Sequence, residues 1–255
     1  MTKISAIVLT KNSENLVADC LASINWTDEI VVIDDNSSDK TREMARKAGG
    51  RVFTFSGDFS EKRNFGAKKA IGDWLLYIDA DERVTPLLRK EIQSAISHQP
   101  STINHFTAYA IPRRNIFLGH EMRWGGWWPD FVLRLIKKEA LLKWEGELHE
   151  QPKIIGKVGK LKKPLTHISH RSLTEMVDKT NDWSEVEARL LFDAGHPKMT
   201  WWRFLSVGVR EVWDRGIKKM GFLDGTVGVI EIIYQTFSRM ITYAKLWEMQ
   251  IKVKK

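Results

Sequence analysis

The sequence is poor in cysteine and in glycine-rich loops, and each absence closes a class of function. One cysteine, Cys20, in 255 residues excludes an internal disulfide framework. It falls in the helix-like run Leu16 to Ile24 with no histidine or basic group close by, so it reads as a small buried residue rather than a nucleophile. No Gly-x-Gly-x-x-Gly follows the first apolar run and no loop ends in the Lys-Ser/Thr of a P-loop. That removes dinucleotide and P-loop chemistry and leaves any nucleotide to side chains and a metal. Zinc-finger spacing and RNA-binding aromatic signatures are missing, and His167-x-x-His170 has no Cys or acid to complete a zinc site. Ile4 to Leu9 is too short for a signal sequence, so a cytoplasmic protein is expected and Asn36-Ser37-Ser38 reads as a turn.

What is present is an alternation of buried strands and helices. Ile4 to Leu9, Glu29 to Asp35, Arg51 to Phe55 and Asp73 to Ile78 have strand patterns. Leu16 to Asn25, a segment capped by Ser38 or Asp39 and closed by Gly49-Gly50, and Ser60 to Ile71 have helical ones. This order predicts an α/β fold: a mostly parallel sheet flanked by helices, with the loops after Leu9, Ile33 and Ile78 on one rim at the carboxyl ends of the strands.

The last of those loops carries the strongest chemical signal. Trp74-Leu75-Leu76-Tyr77-Ile78 runs into Asp79-Ala80-Asp81-Glu82, an apolar strand ending in three carboxylates. Asp79 and Asp81 together suit Mg²⁺ or Mn²⁺ bridging to a substrate's phosphates, which points to a nucleotide or nucleotide-sugar. Such a metal would stabilise a nucleoside diphosphate leaving group, with Asp81 as the direct ligand and His149 as the best candidate for a further one.

Ile4 to Asn12, Val31 to Thr41, Lys62-Arg63-Asn64 and Tyr77 to Glu82 together resemble the family 2 glycosyltransferases of GT-A fold. Trp127 to Leu135, Gly146-Glu147-Leu148-His149-Glu150 and Gly221-Phe222-Leu223-Asp224-Gly225 are similar to the bacterial lipopolysaccharide-core β-glucosyltransferase-like branch. The resemblance spans nearly the whole chain. It implies that Thr10 and Asn12 meet the nucleoside, that Asp35 accepts the N3–H of uracil, and that Lys62 and Arg63 offset the diphosphate. An inverting transferase also needs a carboxylate to take the acceptor hydroxyl's proton. The family's Glu-Asp pair matches Pro129-Asp130 here, which loses the Glu; Asp130 is the first choice of base and Glu150 the second. If Phe131 to Lys138 is helical, Asp130 caps it and Arg134 lies one turn on, within reach of Asp130 or a phosphate. Trp127 and Trp128, with Trp124 and the intervening glycines, would form an aromatic wall for the acceptor.

After residue 165 the pattern turns helical: Ser172 to Ala194, Trp201 to Lys219, and about Thr226 to Gln250. Ile230, Tyr234, Phe237, Ile241 and Ala244 recur at helical spacing in the last, while Asp224, Glu231 and Arg239 interrupt any uniformly apolar span. From Lys198 to Lys255 there are 11 basic and 5 acidic residues with four tryptophans, a composition that suits an anionic membrane surface.

The expected organisation is a catalytic domain over 1–165, with a nucleotide-sugar half to about 98 and an acceptor half from about 99, followed by a helical, membrane-associating extension over 166–255. The expected activity is metal-dependent transfer of a hexose from a UDP-sugar to a lipid-linked glycan such as lipopolysaccharide core, on the inner face of the cell membrane and with no nucleic-acid partner. Polyprenyl phosphate is the alternative acceptor. A sugar nucleotidyltransferase lacks the glycine-rich loop it would need, and a non-catalytic basic membrane- or nucleic-acid-binding module leaves the acidic rim unexplained.

Overall fold

Alternate residues of one strand supply both faces of the core. In β1 (Ile4–Thr10) every residue is buried; Ala6 and Val8 enter one apolar cluster, Ile7 and Leu9 the other. That is the two-residue period of a strand covered on both sides, as a parallel sheet requires. The computed structural model describes residues 2–97 and 106–252 and forms two compact units, Met1–Arg114 with Asp130–His167, and Asn115–Pro129 with Ile168–Lys255.

In the first unit β1 leads to α1 (Glu14–Ile24), β2 (Glu29–Asp34), α2 (Thr41–Lys47), β3 (Arg51–Thr54), α3 (Phe59–Lys69), β4 (Trp74–Asp79), β5 (Glu82–Val84) and α4 (Pro86–Ser97). α1 buries Val17, Cys20, Leu21 and Ile24, the i, i+3, i+4, i+7 stripe of an amphipathic helix. α3 opens on a capping box in which Asp58 accepts from the Glu61 N–H and Glu61 from the Asp58 N–H. At the start of β2, buried Glu29 accepts from the Ser5 hydroxyl at 2.5 Å and the Ile71 N–H at 2.9 Å and pairs with Arg51.

The chain continues through β6 (Phe106–Phe117), β7 (His120–Glu121), β8 (Asp130–Lys137), β9 (Leu141–Glu145), β10 (Gln151–Ile154), β11 (Lys157–Lys160) and β12 (Leu165–Ile168). The sheet order is β3-β2-β1-β4-β8-β6-β12-β5, with β11 and β7 also on β6 and β9-β10 a separate hairpin. The β3-β2-β1-β4 half is parallel, and β8 enters it antiparallel to β4. The segment after Asp130 is therefore a strand, correcting the helical reading. Leu133, Leu135 and Ile136 pack into the sheet core, and the sheet hydrogen bonds to β4 and β6 replace local helical ones. The Asp130 cap and the one-turn spacing to Arg134 do not exist.

The second unit contains α5 (Leu173–Asp193), capped by the Ser172 hydroxyl on the Glu175 N–H, α6 (Trp201–Glu211), a π-helical continuation Val212–Lys218, a 3₁₀ turn Gly221–Asp224, and α7 (Gly225–Lys252). Its small core joins Ala188, Met199 and Leu246 with Leu191, Phe192, Phe204, Tyr243 and Met249. On α7 the buried positions are Gly228, Glu231, Thr242 and Leu246, whereas Phe237 of the expected stripe is exposed. Glu231 tolerates burial because His170 and Gln235 contact its carboxylate at 3.2 and 2.7 Å. No described helix is long and apolar enough to cross a membrane.

Candidate active site

The loops after β1 and β2 are stitched to each other. The Ser38 N–H donates to Asn12 Oδ1 at 2.9 Å, and the Asn12 N–H donates to Ser37 Oγ at 2.9 Å. Asp39 accepts from the Glu14 and Thr41 N–H groups, one at each helix start. Asn12 and Asn36 both sit in the left-handed region, which asparagine tolerates better than most residues. Thr10 Oγ1 donates to buried Asp34 at 3.2 Å, so part of the expected nucleoside loop also serves the fold.

Asp35 stands at this rim with Lys62 Nζ at 3.0 Å and Lys11 Nζ at 3.3 Å. Burial alone would raise its carboxyl pKa, but the Lys62 hydrogen bond and the two positive charges outweigh it and lower the pKa below the ordinary value. Lys62 is itself buried, its ammonium 4.7 Å from the centre of the Phe59 ring.

Arg63, one residue on, enters a second and denser cluster at the end of β4. Its Nε donates to Glu150 at 2.9 Å and its Nη2 to Asp79 at 3.0 Å, while the guanidinium lies 4.9 Å from the Trp144 ring centre. Arg134, carried in by β8, bonds Asp79 and, at 2.7 Å, Glu82. Glu82 is completely buried and also accepts the Asp79 N–H at 2.9 Å. Arg113 on β6 pairs with Asp130 at 2.7 Å and approaches Glu82 at 3.8 Å. Burial would raise the Asp79 pKa, yet the Arg134 and Arg63 charges hold it well below the usual carboxylate range. Two buried donors, Arg63 Nη1 and Arg134 Nε, have no hydrogen-bond partner among the described residues, an arrangement suited to an incoming anion.

Asp81, two residues after Asp79, lies 3.5 Å from His167 Nε2. The antiparallel pairing of β12 with β5, which sets His167 opposite Glu82, brings the imidazole there. His149 is exposed. The Asp81 oxygen and His167 nitrogen are donors a divalent cation accepts, and no group of three or more His, Cys, Asp or Glu suited to a metal occurs among the described residues. Two such donors would suit an open cation site that supplies positive charge to a bound ligand, and not a closed structural one.

The sequence singled out Asp35, Lys62, Arg63 and Asp79 separately, and the structure brings Asp35 to Lys62 and Asp79 to Arg63. Arg113 and His167 were not singled out for the site, because their partners Asp130 and Asp81 lie 17 and 86 residues away in sequence, and Glu82 was given no role because its partner Arg134 lies 52 residues on. Trp127 and Trp128 belong to the second unit. There Trp127 is half-buried, packed edge-on to Phe117 at 4.8 Å with Arg215 5.0 Å from its ring centre, while Trp124 and Trp128 are each 43% exposed.

Comparison with known proteins shows the family. An uncharacterized glycosyltransferase of Rickettsia typhi is 26% identical over 99% of this chain and 89% of its own length, and one from Rickettsia conorii is 26% identical over 99% and 92%. The crystal structure of Staphylococcus aureus TarS residues 1–349 in complex with UDP-GlcNAc superposes with a TM-score of 0.52 at 15% identity, covering 98% of this chain and 92% of that one, a likeness of fold. Residues 5–152 match the profile of glycosyl transferase family 2, more than half of the chain, and the protein therefore belongs to that family, on a GT-A α/β scaffold with a C-terminal helical extension.

Proposed function

We propose that the protein transfers a hexose, with inversion, from a UDP-sugar to a lipid-linked glycan. The observation that carries this reading is the cluster at the end of β4, where two guanidiniums paired to Asp79 keep donors without a partner among the described residues and Asp81, two residues on, meets His167. Asp35 accepts the uracil N3–H, and Thr10 and Asn12 line the nucleoside loop. Lys62, Arg63 and Arg134 face the diphosphate, whose charge Arg63 Nη1 and Arg134 Nε are placed to take. Asp81 with His167 would hold Mg²⁺ or Mn²⁺, which when bound supplies positive charge to the leaving diphosphate. Asp79, bonded by both arginines, orients them and contributes negative charge to that site; His149 stays a candidate outer ligand.

The base must be a carboxylate able to release its arginine. Asp130 is assigned that role, its partner Arg113 being shared with Glu82, and Glu150 is second because Arg63 holds it more deeply. In-line attack by the acceptor hydroxyl then transfers its proton to Asp130 as the sugar–phosphate bond breaks. TarS, which was crystallised with UDP-GlcNAc, supports uridine as the donor base. The decisive measurement is hydrolysis of a panel of nucleotide sugars with and without divalent cation. UDP-sugars should be cleaved only with metal, and Asp81→Asn should abolish turnover while leaving the melting temperature unchanged. Full activity of that variant, or of the wild type in excess chelator, overturns the mechanism.

The acceptor's lipid is supported by α6. Trp201, Trp202, Leu205, Val209, Val212 and Trp213 recur along one face, each 45–75% exposed, and no α6 residue is buried. Leu205, Val209, Val212, Trp213, Ile217 and Met240 line a groove of about 420 Å³ beside this face. Arg203, Arg210, Lys218 and Lys219 are exposed around it, so the complementary partner is an anionic bilayer surface, with tryptophan at the interface. Lys254 and Lys255 lie outside the described residues.

A further inference from the structure

A carboxylate with no part in the reading above holds the Trp124–Trp128 turn of the second unit. Asp224, 6% exposed, accepts the backbone N–H of Trp124 at 2.8 Å and of Arg123 at 3.1 Å, with His120 Nε2 3.6 Å away. The Gly125 N–H donates to the Lys219 carbonyl at 2.9 Å, and Arg215 reaches the Gly125 carbonyl at 3.4 Å while its guanidinium covers Trp127. Gly125 and Gly126 have φ of +66° and +88°, which glycine alone adopts without strain. A Cβ on Gly221 would stand 3.2 Å from the Gly125 Cα, so the 3₁₀ turn carrying Asp224 and the aromatic turn pack backbone to backbone.

The result is a turn fixed on three sides whose middle tryptophan is the packed one, while Trp124 and Trp128 face solvent. An anchor serving the fold alone needs no exposed indoles. Aromatic faces held in place before binding suit a ring that turns a face of C–H groups to them and keeps its hydroxyls in water, because little ordering remains to oppose association. We propose that Asp224 is a positioning residue for the acceptor: by fixing the backbone of the turn it presents Trp124 and Trp128 as a platform for a pyranose ring. This rests on the glycosyltransferase reading and moves the acceptor contact from Trp127 to Trp124 and Trp128.

The test is saturation-transfer NMR with methyl β-glucopyranoside, methyl β-galactopyranoside and a methyl heptopyranoside as probes, on the full chain. At least one glycoside should receive saturation at its ring C–H groups. Its Kd should rise about tenfold in Asp224→Asn, which loses a charge-assisted pair of bonds, and similarly in Trp128→Ala. Amide exchange at Arg123 and Trp124 should quicken in Asp224→Asn while α5 keeps its protection. Should Asp224→Asn not fold, the exposed substitutions Trp124→Ala and Trp128→Ala decide. Binding at wild-type strength in a folded Asp224→Asn or in both tryptophan variants, or no saturation of any glycoside by the wild type, overturns the proposal. UDP-sugar hydrolysis by the wild type, run in parallel, separates the readings: hydrolysis without glycoside binding sinks this inference alone, and no hydrolysis sinks the reading beneath it.

Discussion

One unit of this protein buries charge and the other exposes hydrocarbon. Around the end of β4 the first unit keeps Arg63, Arg134 and Glu82 almost wholly out of water, each paired to an opposite charge. In the second, α6 has no buried residue and turns Trp201 and Trp202 outward at 75% and 62% exposure. Both arrangements run against the usual sorting, in which charge stays wet and large apolar side chains stay dry. The buried cluster is held by its own ion pairs, whereas nothing among the described residues of the second unit covers the apolar face. The first region is organised by charge pairing, and the second leaves an apolar face in water.

Breaking the catalytic side of that comparison has the largest expected effect. Asp130→Asn should lower turnover by about 10²–10⁴-fold while UDP binding, followed by calorimetry, persists. If Glu150→Gln shows that loss and Asp130→Asn does not, the base is Glu150.

Breaking the buried pairing comes next. Arg134→Met strands Asp79 and Glu82 without their shared guanidinium and should destabilise the fold by about 3–5 kcal/mol in urea unfolding. Trp201→Ser with Trp202→Ser should shift the same midpoint by no more than about 0.5 kcal/mol, since those rings are already in water. Equal losses for the two sets would erase the distinction between the units.

The interface itself is sharpened by co-sedimentation with anionic vesicles. Wild-type protein should bind, weaken as salt rises, and retain a salt-resistant part from the α6 tryptophans. Replacing Lys218, Lys219 and Lys252 by Gln should cost about 1 kcal/mol of binding each. Failure to bind at low salt would make α6 a structural element and favour a soluble acceptor.

The smallest effect is acid sensitivity at Glu29. Burial would raise its pKa, but the Ser5 and Ile71 hydrogen bonds and Arg51 prevail and lower it. A depressed native pKa means that the unfolded chain binds the proton first as pH falls. The stability Glu29 contributes is therefore complete above the unfolded value of about 4.3 and lost below it. Urea midpoints between pH 3 and 7 should decline more gently at the acid end in Glu29→Gln than in wild type.

The parallel half of the sheet was legible because its signals are local: an apolar run for each strand, a stripe such as Val17, Cys20, Leu21 and Ile24 for each helix, and polar turns between. β8 was not. Its run Phe131-Val132-Leu133-Arg134-Leu135-Ile136 is a short apolar stretch that periodicity leaves open between strand and helix, and Glu82, the buried counter-charge of Arg134, lies 52 residues earlier. The Asp81–His167 approach was hidden for the same reason, since only the pairing of β12 with β5 brings it about. Tryptophan spacing likewise revealed an aromatic turn in Trp124 to Trp128 but not which ring packs inward, a choice set by Phe117 and Arg215.

Cys20 gives the molecule a built-in clock. Its thiol is fully buried on α1 and donates to the Asp79 carbonyl at 3.5 Å, and burial pushes its pKa far above the ordinary thiol value. A maleimide or disulfide reagent therefore has no target until the segment around the end of β4 opens. With a single thiol in the chain, the rate of its modification at saturating reagent, where reaction outpaces reclosing, reads the opening frequency of that rim without a label. Slowing of that rate by UDP would report, from inside the core, how firmly a nucleotide closes the door.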